Sequence, residues 1–254
     1  METLVRRLRL RSAQLTARVV AELWTNPFWQ ERFGDRGRRD ATDDGQHHVA
    51  YLIEALTASD PGVLTGYARG LQSVLTSRGM CSLHLAENFD HLAAAIADEE
   101  PDPEPAVELL RAAREALRYQ TGPARELQDR TPRLIDAVVH ELRHLLPADA
   151  DGVAVRRCRE DIGYHLAYLA DALALARPDL FTAYALWIRG FLAQRGLALE
   201  HLTATLRGID AELVRDPDIS TALRSAATDM LDHALARLEA PDAEADQLAA
   251  AGDP

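Results

Sequence analysis

RDATDDGQHHVAYLIEALTASDPGVLTGYARGLQSVLTSRGMCSLHL, residues 39–85, lies without a gap over RRCREDIGYHLAYLADALALARPDLFTAYALWIRGFLAQRGLALEHL, residues 156–202. Of the 47 pairs, 17 are identical, among them Asp44/Asp161, His48/His165, Tyr51/Tyr168, Pro61/Pro178, Tyr67/Tyr184, Gly79/Gly196 and His84/His201. An offset of 117 residues held over that length marks an internal duplication. Upstream, LTARVVAEL (15–23) answers LIDAVVHEL (134–142) at nearly the same spacing. The seam falls near residue 122, which predicts a first copy over 1–121, a second over 122–240 and a frayed tail over 241–254. In both copies apolar residues recur at i, i+3, i+4 and i+7 with no alternation, so the expected fold is all-α. Pro61 and Pro178 suit first helical turns, and Gly79 and Gly196, each after an arginine, suit C-terminal caps. DEEPDPEP (98–105) and QTGPAREL (120–127) read as connections.

The rest of the chain narrows the chemistry. Its 254 residues, 47% hydrophobic and 27% charged, are enough for a core. Asp+Glu outnumber Lys+Arg by 40 to 28, net charge −12, which disfavours nucleic acid as a partner. Every one of the 28 cations is arginine, so Schiff-base lysines and Walker-A loops are excluded. Two cysteines, Cys81 and Cys158, make no disulfide framework, and METLVRRLRLRS lacks the apolar run of a signal peptide, so a cytoplasmic location is expected. No apolar run reaches the roughly 20 residues of a membrane span, and a membrane partner is not expected.

Most repeated positions suit a helical core, and Cys81, opposite Ala198, reads as a small buried residue. The polar ones invite a further role. Asp161, His165 and Tyr168 stand at i, i+4 and i+7, with Cys158 extending the stripe by one turn; in copy one the stripe is Ala41, Asp44, His48 and Tyr51. Leu166, Leu169, Ala170 and Leu173 form an apolar stripe expected to face another way. A carboxylate and a histidine of the stripe with a third residue, His84 or His201, make up a two-histidine, one-carboxylate set, a spacing that many ordinary helices also meet. Cys158 and His165 lie two turns, about 10 Å, apart along the axis, too far for a nucleophile and its base. No enzymatic turnover is expected.

The string RRCREDIGYHL (156–166) resembles the chromophore helix of phycobiliproteins, the phycocyanin and allophycocyanin family, in Cys158, Asp161, Ile162, Gly163, Tyr164 and Leu166. TPRLIDAVVHELRHLL ahead of it is similar to the family's helix B. The resemblance implies two tandem globin-like domains that lack the family's N-terminal X, Y and A helices, since only some 38 residues separate the seam from Asp161. It implies a bilin, biliverdin or phycocyanobilin, joined by a thioether to Cys158 with Asp161 on the pyrrole nitrogens. Arg156 and Arg157 are then placed for propionates, with Arg39 correspondingly placed in copy one, and Tyr164, Tyr168, Tyr184 and Trp187 as aromatic walls. Glu160 stands where the family usually has an arginine, and His165 replaces a tyrosine. With Ala41 in the place of Cys158, copy one offers Asp44, His48 and Tyr51 for non-covalent binding at most.

The expected function is therefore a photoreceptor, bilin sensor or bilin carrier that passes its signal to a protein partner. Two alternatives stand beside it: a haem- or metal-binding globin-like sensor using His48 and His165, and a chromophore-free helical interaction module. A homodimer is left open.

Overall fold

The computed structural model describes residues 2–143 and 152–240; the tail expected over 241–254 lies outside them. Among the described residues there are ten helices and no strand, and none of the helices is long and apolar enough to cross a membrane. The chain divides into two compact units, Met1–Arg118 and Tyr119–Pro254. The first holds α1 (Glu2–Leu23), α2 (Pro27–Ala58), α3 (Pro61–Ser77), α4 (Ser82–Glu99) and α5 (Glu104–Ala116). The second holds α6 (Gly122–Leu142), α7 (Gly152–Leu175), α8 (Pro178–Gln194), α9 (Leu199–Arg215) and α10 (Thr221–Glu239).

The units share their punctuation. α3 and α8, α4 and α9, and α5 and α10 each begin 117 residues apart. Asp60 caps α3, its carboxylate accepting from the Gly62 N–H at 2.8 Å, and Pro61 supplies the preset φ of a first turn. α2 and α7 end on equivalent left-handed residues, Ser59 at φ 53 and Ala176 at φ 51, after which the Asp60 and Arg177 N–H groups reach back to Ala55 and Ala172. α3 and α8 end on Gly79 and Gly196, both at positive φ, where glycine adopts the cap conformation at no steric cost.

The seam lies between Arg118 and Tyr119. Gln72 Nε2 donates to the Leu117 carbonyl at 2.7 Å, holding the end of α5 to unit 1. Tyr119 donates from its hydroxyl to Asp171 at 2.7 Å and from its N–H to Gln128 at 2.8 Å, both in unit 2. The segment expected as a connection over 120–127 is mostly helix, because Gly122 and Pro123 already open α6.

Packing repeats as well. α1 lies on α2 and α4, and α5 on α3 and α4; in the second unit α6 lies on α7 and α9, and α10 on α8 and α9. Leu8, Leu15, Leu52, Leu64 and Phe89 fill one core, and Leu127, Ile162, Leu166, Leu169 and Phe181 the other, all fully buried. Each contributes about 1.5–3 kcal/mol relative to exposure. α1 meets α2 at Gly45, where a Cβ would come within 2.7 Å of Thr16 Cγ2; α6 meets α7 at Gly163, where the nearest atom, Ile135 Cδ1, is 3.7 Å away. Gly45→Ala is therefore expected to destabilise unit 1 by about 1–2 kcal/mol despite alanine's better helix propensity, and Thr16→Ser in the same chain should recover part of the loss. Thermal unfolding of the three variants checks this; an unchanged Gly45→Ala midpoint would show that the helices separate freely.

Candidate functional site

Cys158 sits in the first half of α7 as a free, half-buried thiol. Burial pushes it up, the nearby Asp161 carboxylate adds to that, and Arg159 pulls the other way. Arg159 is itself held to Asp136 of α6 at 2.6 Å. One turn on, the Asp161 side chain reaches solvent, yet the protein around it pushes its carboxyl up to about 6, with Glu160 adding like charge and Arg157 opposing. At pH 7 it remains mostly ionised and able to accept hydrogen bonds. Arg156 and Arg157 are exposed beside the pair, and Tyr164 is half-buried.

The remaining members of the stripe point inward. His165 is 6% exposed and its Nδ1 lies 2.9 Å from the Tyr184 hydroxyl; Tyr168 stacks on Tyr184 with ring centroids 3.7 Å apart. Unit 1 repeats the arrangement. His48, 2% exposed, has Nδ1 2.7 Å from the Tyr67 hydroxyl, and Tyr51 stacks on Tyr67 at 4.1 Å. The two stripes expected to face apart thus share one side: His165 and Tyr168 are buried together with Leu166, Leu169 and Ala170. The histidine and tyrosine of each bond stand 19 residues apart in both copies, a signal the repeat carries but the stripe on one helix does not.

Burial pushes His165 down to about 4, and burial with the neighbouring His47 does the same to His48, so both are neutral at pH 7. Tyr67 is pushed up, first by burial and then by Asp44 and Tyr51. Asp44 is half-buried and shifted upward by burial, against the pull of His47. Tyr51 is 37% exposed, Arg39 is exposed, and Trp187 is half-buried with its ring 5.2 Å from Phe191.

The groups fit the expected ligands unevenly. Cys158 and Asp161 suit a tether and an acceptor for pyrrole N–H groups, while His165, Tyr168 and Tyr184 are taken up by one another. In unit 1, Ala41 stands in the place of Cys158 and lines a cleft with Thr16, Val19, Gly45 and Leu92 that is too tight for a water molecule. A haem on His48 would have to displace Tyr67 and Phe89, whose rings stand 5.7 and 5.3 Å from the imidazole. Among the described residues no three His, Cys, Asp or Glu side chains come together as a metal site. His84 is buried in unit 1, whereas its counterpart His201 is exposed. A polar groove of about 560 Å³ between the first turns of α6 and α10 is lined by paired charges: Arg125 holds Asp129 at 2.8 Å, and Glu126 accepts from the Ser220 N–H at 2.7 Å.

Sequence reasoning missed two features. One is an arginine clamp on the turn after α4, where Arg7 and Arg11 hold Glu100 and Arg11 and Arg18 hold Glu99, answered in unit 2 by Arg130 on Asp216 at 3.4 Å. The other is a cluster of Phe28, Trp29 and Phe33 around His84. No family model, curated protein or solved structure matches the chain.

Proposed function

We propose that the second unit holds a linear tetrapyrrole of the biliverdin or phycocyanobilin class, joined to Cys158 and accepted by Asp161, and acts as a bilin sensor or carrier without turnover. On this reading the two units are truncated, tandem phycobiliprotein-like globin domains. The observation that carries it is the pairing, one turn apart on α7, of a free half-buried thiol with a solvent-reaching carboxylate. Arg156 and Arg157 lie on the same stretch of helix for the propionates. The bound pigment would supply absorption of visible light; the protein's part is to fix its shape. A thioether needs no oxidant, because addition of a thiol across a carbon–carbon double bond moves the S–H proton to carbon and conserves electrons. Unit 1, with Ala41 and a closed cleft, serves on this reading as the surface for a protein partner.

The test is direct. The purified chain is mixed with biliverdin or phycocyanobilin, denatured, and examined for zinc-induced fluorescence that migrates with it. A fluorescent band lost in Cys158→Ala supports the reading, and Asp161→Asn should weaken or shift the long-wavelength absorption of the native adduct. A chain that stays colourless with both pigments overturns it. The second reading, a chromophore-free interaction module, is favoured by one observation: in both units the repeated histidine and tyrosines are bonded to one another.

A further inference from the structure

In unit 1 three rings run in a line from solvent to core. α2 carries His48 and Tyr51, one turn apart, and α3 brings Tyr67 between them. Tyr51 is 37% exposed and lies face to face on Tyr67, with ring centroids 4.1 Å apart and planes 16° from parallel. Tyr67 is half-buried, and its hydroxyl is 2.7 Å from Nδ1 of His48. His48 is buried against Phe89, whose ring stands 5.3 Å away. An open phenol, a covered phenol and an enclosed imidazole thus follow one another at contact distance.

The direction of the hydrogen bond follows from the charges. Burial and the neighbouring His47 push His48 down to about 4, while burial, Asp44 and Tyr51 push Tyr67 up, so both groups are neutral at pH 7. A neutral imidazole has one accepting nitrogen, and among the described residues Nδ1 is the acceptor within reach of the Tyr67 O–H. The phenol donates and Nδ1 accepts. A base at this distance is already in place for the proton, and because its own value lies far below neutrality it stays vacant at pH 7.

We infer that Tyr67 is a one-electron donor to small oxidants, such as aromatic radical cations, that touch Tyr51, with His48 as the base that takes its proton. The oxidant gains one electron from the stacked pair. The Tyr67 O–H bond breaks, an N–H bond forms at His48 Nδ1, and a neutral phenoxyl radical remains beside an imidazolium, so the single positive charge left by the electron sits on the ring of His48. An oxidised phenol is a far stronger acid than imidazolium, which makes this proton movement downhill even for a buried histidine. Without a base in contact the proton would have to pass to water, a poor and slower acceptor. Two features ease the electron's departure: the second ring, whose π-face is attracted to positive charge, and the Asp44 carboxylate, whose charge acts on the phenol. A one-electron reductant that refills the ring sends the proton back from Nδ1 to oxygen.

Access sets unit 1 apart. Unit 2 repeats the bond at 2.9 Å and the stack at 3.7 Å, but Tyr168 and Tyr184 are 4% and 3% exposed, so an oxidant in solution does not touch that stack.

The full chain is exposed to photogenerated tris(bipyridine)ruthenium(III), and the phenoxyl radical is followed by transient absorption and electron paramagnetic resonance. The pair predicts a prompt radical whose rate of appearance does not change with the concentration of buffer base. Tyr67→Phe should lower the prompt phase several-fold, and Tyr51→Phe should slow it several-fold. In His48→Gln the side-chain carbonyl still accepts a hydrogen bond but does not hold the proton, so the phase should slow and become dependent on buffer base. A prompt phase that follows buffer base in the parent chain, or that is undiminished in Tyr67→Phe, Tyr51→Phe or His48→Gln, overturns the inference. Circular dichroism checks the helix content of each variant, and the buffer series on the parent chain decides the proton acceptor even where a variant fails to fold.

Discussion

Tyr184→Ala should cost about 3–5 kcal/mol of stability in unit 2, more than loss of any surface ion pair. Tyr184 is buried, and it makes the stack on Tyr168 at 3.7 Å, the bond to His165 at 2.9 Å and a tilted ring contact with Phe181 at 6.2 Å. Truncation removes the ring, leaves a cavity between α7 and α8, and strands the His165 Nδ1 in apolar surroundings. Tyr184→Phe keeps the ring and strands only the imidazole, so about 1–3 kcal/mol is expected. A double-mutant cycle of His165→Phe with Tyr184→Phe should show coupling of about 1 kcal/mol or more by urea unfolding. Additive losses would mean that the two side chains do not act as a pair. The counterpart Tyr67→Ala should cost less, because Tyr67 is half-buried and its stacking partner Tyr51 reaches solvent.

How far these features can be read from the sequence depends on the range of the contact. Helical class follows from periodicity within a dozen residues, and the starts of α3 and α8 from proline at a first turn. The stripe Asp161, His165, Tyr168 is equally legible, but its direction is not. A helix wheel shows that these residues share a side with Cys158; it does not show that α8 brings Tyr184 onto that side and draws His165 and Tyr168 into the core. Near the seam, Leu117 accepts from Gln72 of unit 1 and Tyr119 donates to Gln128 of unit 2, pairings between residues that periodicity does not connect. The clamp after α4 was hidden for another reason. Arg11 answers Arg130 at an offset of 119, whereas Glu99 answers Asp216 at 117, so no single shift of the sequence aligns both halves of the interaction.

That clamp sets the second large expectation. The Glu100 side chain is 1% exposed, with Arg7 and Arg11 on its two oxygens and about a third of each arginine open to water. The asymmetry decides which partner matters. Arginines that lose the carboxylate can turn to solvent, but a carboxylate that loses both arginines stays buried without compensation. Arg7→Met combined with Arg11→Met is therefore expected to destabilise unit 1 by about 3–5 kcal/mol, while Glu100→Gln with both arginines intact should cost about 1–2 kcal/mol. Adding Glu100→Leu to the double arginine variant should return much of the loss, because the buried charge is then gone. Urea unfolding of the four proteins followed by circular dichroism gives the comparison. A double arginine variant within about 1 kcal/mol of the parent would show that water reaches Glu100 once the arginines are removed, and that the turn after α4 is held by packing against α1 instead.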